Sequence, residues 1–362
     1  MTHTRPALIS CAFAITILLL PLLLAADKAP PPLQIHWIDS EGGGSTLLVT
    51  PAGESVLIDT GNPGGRDAAR ILHAAKEAGL ERLDHVVITH FHIDHFGGLA
   101  ELAELIPIGT LYDKGLPDEV PDQGGNQARW ALSSRPYRNA KTEKRVVLAP
   151  GDALPLKQAP GSAPLALKVL AANQKFIPAT ADTASNPDDP ALAADKPEDL
   201  SDNANSLVLL LSLGDFRFFD GGDLTWNVEK RLVTPHHLPG VVDLFQVNHH
   251  GLDSSNHPLL VRSLNPTVAV MNNGPRKGTS ASALASLRGA QALQALYQIH
   301  ENIRPDEASN NTAERQRIAN HGDLGDACAA HPIRCQVTAD GTAFSLAVPS
   351  QSHEQVFATR SK

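Results

Sequence analysis

Apolar residues come in short bursts along this chain, and turn-forming residues separate the bursts. Residues 33–38 alternate as a strand after a proline-rich lead. Residues 45–50 and 55–58 predict two more strands, divided by Pro51-Ala52-Gly53. Over 67–78, Ala68, Ile71, Leu72 and Ala75 share one helical face, and Gly79 is placed to end the helix. Val86-Val87-Ile88-Thr89 reads as a buried strand, and after Gly97-Gly98 the residues Leu99, Leu102 and Leu105 fall on one face of a helix. A β-rich middle is expected, with strands at 108–112, 145–148 and 165–170. Residues 207–213 and 216–219 form a hairpin about Gly214-Asp215, and 241–247 and 266–271 are buried strands. Residues 282–300 predict a helix, with Ser282 as its N-cap and Leu284, Leu287, Leu293 and Leu296 roughly on one side. A terminal hairpin, 336–339 and 342–348, turns at Asp340-Gly341, and the tail 351–362 is expected to be loose. Strands alternating with helices make this an α/β chain.

Two stretches fall outside the pattern. Residues 176–200 are rich in Ala, Asp and Pro and predict a surface insertion, either a flap or a loose loop. Residues 1–26 read as an export signal, with Arg5 ahead of an apolar run and Ala25-Ala26 before the polar Asp27-Lys28; an uncleaved anchor is the alternative. Export makes the cysteines informative. Cys328 and Cys335 are left in the mature chain with six residues between them, and they are expected to pair as a disulfide rather than to bind metal with His331. Length alone suggests two domains, but no long Gly/Ser linker divides the chain, so 33–350 is read as one domain. The formal charge of −9 argues against a broad basic surface for nucleic acid, although a local cationic pocket is compatible with it.

The candidate chemistry lies at strand ends. His90, His92, Asp94 and His95 fall within six residues, between a buried strand and a Gly-Gly turn. Imidazole and carboxylate suit zinc and similar divalent ions, and surface histidines are rarely grouped this way. Further on, Asp223 closes a glycine-rich turn after a strand, with Asp220 as the competing carboxylate, and His249-His250 ends another strand. His249 is the first choice as a ligand there and His250 the second. Lys277, with Arg276 beside it, and His300 are candidates to stabilise an anionic substrate group, although His300 also reads as a helix-end histidine.

The segment THFHIDHFGG resembles the His-x-His-x-Asp-His signature of the metallo-β-lactamase superfamily. The resemblance implies a four-layer αββα sandwich, and a site for two divalent ions, zinc by default with manganese or iron as alternatives. It also implies Asp223 as a bridging carboxylate, Asp59 as support for a metal ligand, and hydrolysis by a hydroxide held between the metals. No histidine lies between His95 and His236, so the third histidine that other members place on the first metal is missing; the segment carrying Asn203, Asn205 and Ser206 stands there instead. The order of motifs over 33–275 is similar to the metallo-β-lactamase-like domain of ComEC-type competence proteins. That resemblance favours phosphodiester or phosphate-ester substrates, small or polymeric, over carboxylic esters, lactones or lactams. Their membrane channel is not expected here, because the chain has no second long apolar segment, and DNA uptake is not carried over. A non-catalytic exported binding protein that keeps the metal site is the reading from another class, and an accessory component for extracellular DNA is the third.

Overall fold

The computed structural model describes residues 1–3 and 30–361, apart from 190, 193, 307–309 and 323–324. The expected signal segment therefore lies mostly outside the described residues. Among the described residues no helix is long and apolar enough to cross a membrane.

In chain order, the first half holds β1 (Leu33–Trp37), β2 (Thr46–Val49), β3 (Ser55–Ile58), α1 (Arg66–Glu77), β4 (Leu83–Val87), α2 (Ile93–Phe96), α3 (Leu99–Leu105), β5 (Ile108–Asp113), α4 (Gln127–Asn139), β6 (Lys144–Val147), β7 (Leu165–Ala172) and β8 (Lys175–Phe176). The second half holds β9 (Val208–Leu213), β10 (Phe216–Asp220), α5 (Trp226–Val233), β11 (Leu244–Gln246), α6 (Pro258–Leu264), β12 (Val268–Met271), α7 (Ala281–Arg288), β13 (Ala295–His300), β14 (Ile318–Asn320), β15 (Ile333–Val337), β16 (Ala343–Val348) and β17 (His353–Ala358).

The strands form two sheets, ordered β17-β16-β15-β1-β2-β3-β4-β5-β6 and β14-β13-β12-β11-β10-β9-β7-β8. Their inner faces meet in one core, with Ile35, Trp37, Leu48 and Val87 from the first sheet against Leu209, Phe218, Leu244 and Val270 from the second. The outer face of the first sheet is covered by α1, α3 and α4 through Ile71, Leu99, Leu102 and Trp130. The outer face of the second is covered by α5, α6 and α7 through Leu232, Leu260 and Leu284. These layers are the αββα sandwich, in which each sheet buries both faces. Gln246 ties the two sheets together: its Oε1 accepts from Trp37 Nε1 at 2.9 Å and from Thr46 Oγ1 at 2.8 Å.

Several expectations change. The stretch read as one helix to His300 splits into α7 and β13, because Gly289 ends the helix and Ala295–His300 is buried along its whole length as a strand between β12 and β14. The middle is not all β: α4 crosses it, capped by Asn126, whose side chain accepts from Arg129 N. The tail is not loose, since β17 pairs with β16 from Ala343↔Ala358 to Val348↔His353. The 176–200 segment is neither a flap over the histidines nor a free loop, because it straps α5 and α6. Asn186 Nδ2 donates to Val233 O at 2.8 Å, Trp226 Nε1 donates to Ala194 O at 3.1 Å, and Lys230 meets Asp195 at 2.8 Å. The cysteines form no disulfide. Cys335 points into the core between the sheets, while the Cys328 thiol turns to Asp39 Oδ2 at 3.5 Å.

Candidate metal centre

Strand ends from both sheets converge at one end of the sandwich. β3 leads to Asp59, β4 to His90, β10 to Asp223 and β11 to the His249-His250 turn. The Asp223 carboxylate, almost fully buried, sits at the centre. Its Oδ2 lies 3.8 Å from His90 Nε2, 3.2 Å from His95 Nε2, 3.5 Å from His249 Nε2 and 3.4 Å from His250 Nε2. Asp94 Oδ2 adds a second carboxylate, 3.7 Å from His95 Nε2 and 3.6 Å from His250 Nε2. Two overlapping groups result, His90/His95/Asp223 and Asp94/His95/His250.

The backbone makes this convergence possible. Consecutive residues of a strand point to opposite faces, yet His249 and His250 both reach Asp223. They do so because both adopt left-handed φ values, 51° and 56°. Non-glycine residues enter that region at a cost and are held there by their surroundings. The clamp here is Glu229 on α5, whose carboxylate accepts from Asn248 Nδ2 at 2.6 Å, Asn256 N at 2.9 Å and His257 N at 2.6 Å. Asp59, itself at φ 61°, does the same for His95. Its Oδ2 meets His95 Nδ1 at 2.7 Å and accepts from Thr89 Oγ1 at 2.7 Å, while its Oδ1 accepts from Thr89 N at 2.8 Å. This leaves His95 Nε2 facing the cluster, and such partners fix both the tautomer and the ring orientation of a ligand. Gly44 makes room for the pair, since a Cβ there would lie 2.6 Å from His95 Nδ1 and 2.8 Å from Asp59 Oδ2.

The electrostatics follow from crowding. Burial drives His90 well below the usual imidazole range, helped by the neighbouring His95. Burial opposes charge on His95 as well, but Asp223, Asp59 and Asp94 outweigh it and raise its pKa. For Asp223, burial acts upward, and the imidazoles of His250, His95 and His249 overcome it. Asp220 is pushed up to about 7, chiefly by burial. Its Oδ1 accepts from Gly222 N at 2.9 Å and its Oδ2 has no partner, so it sits under the turn without touching the histidines.

Three candidate residues lie elsewhere than expected. His92 turns away from Asp223 to Asp122, with Nε2 3.0 Å from Oδ1; burial lowers its pKa, but the hydrogen bond and charge of Asp122 prevail and raise it. Asn205 faces Asp202 and Gln174, and it is Asn203 whose amide stands 3.3 Å from His249 Nε2. His300, buried at the end of β13, bonds Asp39 at 2.8 Å outside the cluster. Asp39, His300 and Cys328 do form a compact group, but Arg70 already pairs with that carboxylate at 3.2 Å and supplies the positive charge there. Lys277 stands beside the cluster, with Nζ 2.5 Å from Asp94 Oδ2.

Sequence reasoning missed the supports under the histidine loop. Asp202 accepts from Phe91 N at 2.7 Å and forms a buried pair with Lys114 at 2.7 Å, and Phe91 and Phe96 pack against Trp130 and Tyr137 of α4. Asp202 adjoins the Asn203/Asn205 motif in sequence, whereas Lys114 and Glu229 carry no local signal.

The donor set fits divalent metal. Imidazoles and carboxylates surround one point, and His90 Nε2 is a fully buried nitrogen with no hydrogen-bond partner among the described residues. The model of the family described as "metallo-beta-lactamase superfamily" matches residues 39–219. Recombination protein 2 of Haemophilus influenzae is 21% identical over 277 residues, 76% of this chain and 28% of that protein. Competence protein ComA of Neisseria gonorrhoeae is 23% identical over 288 residues, 74% of this chain and 33% of that one. Thioesterase pkgB of Emericella nidulans is 31% identical over 112 residues, 31% of this chain and 30% of the thioesterase. The chain thus spans about a third of the length of these curated relatives. Among solved structures, the metallo-beta-lactamase fold protein YhfI from Bacillus subtilis aligns with a TM-score of 0.41 and 11% identity, covering 74% of this chain and 96% of that one.

Proposed function

This chain belongs to the metallo-beta-lactamase superfamily, and on that footing we propose that it is a hydrolase working with two divalent metal ions on phosphodiester or phosphate-ester substrates. The observation that carries the reading is the convergence of four imidazoles, from His90, His95, His249 and His250, on the Asp223 carboxylate. His90, His249 and Asp223 would hold one ion, with the Asn203 amide standing in for the missing histidine. Asp94, His95, His250 and Asp223 would hold the other. Such ions, when bound, supply Lewis acidity toward an ester oxygen and lower the pKa of water toward 7. An oxygen donor in place of an imidazole widens the choice of metal from zinc to manganese or iron.

The protein's own groups prepare the site. Asp59 holds His95 in the orientation that presents Nε2, and Glu229 holds the strained histidine turn. Lys277 places an ammonium beside Asp94, where it attracts an anionic substrate group. The likeness to the recombination and competence proteins supports phosphodiesters, and the likeness to the thioesterase keeps carboxylic esters as the second reading. The apolar segment ahead of residue 27 supports export.

Elemental analysis of the full chain, run beside Asp223→Ala and His250→Ala, tests the metals. Near two ions per chain, falling in both variants, is expected; one ion or none in protein offered metal would sink the two-ion mechanism. Turnover of bis(4-nitrophenyl) phosphate against 4-nitrophenyl acetate then separates the two substrate readings.

A further inference from the structure

Beside the cluster, the histidine loop, the 120–126 loop and α4 enclose a cavity of about 360 Å³. Asp94, placed above among the metal ligands, lines it beside His92, so one wall is shared with the proposed reaction centre. The rest of the lining is of a different kind. Ile93, 42% exposed, and Val120 contribute aliphatic surface. Trp130 brings a buried indole, whose N–H has no acceptor among the described residues. Arg129, exposed at the rim, brings a guanidinium that has no ion-pair partner among the described residues. The volume is that of a small-ligand pocket. The Asp122 carboxylate also lines the cavity, but His92 takes it up at 3.0 Å, so an aliphatic and aromatic wall and the Arg129 cation describe what such a ligand must carry.

We infer that this cavity receives the apolar half of the substrate, an aromatic ring or short acyl chain ending in an anionic group, with Arg129 taking the anion. The inference rests on the hydrolase reading and narrows it to esters whose far end is both apolar and charged.

The probes are 3-phenylpropionate and the uncharged 3-phenylpropanol, titrated by calorimetry into the metal-loaded full chain and into two variants. The acid should bind about tenfold more tightly than the alcohol, the worth of one charge-assisted contact. Arg129→Ala should abolish that difference while leaving alcohol binding unchanged, and Val120→Trp should weaken both by filling the cavity. Both variants should hold as much metal as the parent, because neither residue is placed among the ligands. Acid binding that is indifferent to Arg129→Ala would place the carboxylate at the metals and overturn the assignment, as would failure of both probes to bind. Binding that depends on Arg129 in a protein that hydrolyses nothing would leave the pocket standing and bring down the hydrolase reading alone.

Discussion

A buried imidazole is a useful metal ligand only if its other nitrogen is spoken for. Asp59 does this for His95 at 2.7 Å, and Thr89 secures both oxygens of that carboxylate. Asp59→Asn keeps the shape but loses the charge and offers an amide in place of one oxygen. Metal affinity, measured by competition with a chelator, is expected to fall 10- to 100-fold while far-ultraviolet circular dichroism is unchanged. This residue was legible in the sequence through the resemblance alone, because Asp-x-Gly is ordinary turn chemistry. The choice between His249 and His250 was not legible. Both converge, and what decides it is a pair of left-handed backbone angles that no side-chain pattern announces. His92 shows the converse: its spacing is right, yet an aspartate thirty residues away claims its ring.

At the scale of elements, the helices hold the site by reaching across it. Glu229 projects from α5 under the histidine turn, and burial pushes its carboxyl up to about 7 against the pull of its three N–H donors. An acid whose folded pKa exceeds its unfolded value holds its proton longer in the folded state. Its contribution to stability therefore falls as pH rises from about 4.5 to about 7 and stays low above that. Glu229→Gln cannot titrate, so its melting temperature should drop less than the parent's between pH 4.5 and pH 8, even if it starts lower because an acceptor is lost. An equal drop in both proteins would show that the carboxyl titrates normally. The strands flanking the motifs were readable, because buried parallel strands are short apolar runs with clear ends. The helix α4 was not, because Ser133, Ser134 and Pro136 dilute its apolar face and only Trp130 and Tyr137 anchor it. The stretch ending at His300 misled for the opposite reason: leucines spaced for a helix also suit a buried strand once Gly289 has broken the run.

Across the whole molecule, one side chain bonds the two halves of the sandwich at the level of the core. Gln246 in the second sheet satisfies Trp37 and Thr46 in the first. Gln246→Leu leaves two buried donors without an acceptor, and urea unfolding should show a loss of about 1–3 kcal/mol with metal content unchanged. The layer order followed from the resemblance, whereas the last strand was not legible: the stretch from residue 351 looks polar and slack, yet it supplies β17. That strand has its own implication. Residues 353–358 occupy the outermost position of a nine-stranded sheet, and they alternate exposed and sheltered side chains, with Val356 70% exposed. Without them, β16 would present a bare row of amides and carbonyls of the sort that recruits strands from other molecules into aggregates. The edge that β17 offers instead carries Glu354 and Gln355, whereas β16 is mostly apolar, so loss of residues 353–358 should be felt as aggregation, far from the chemistry.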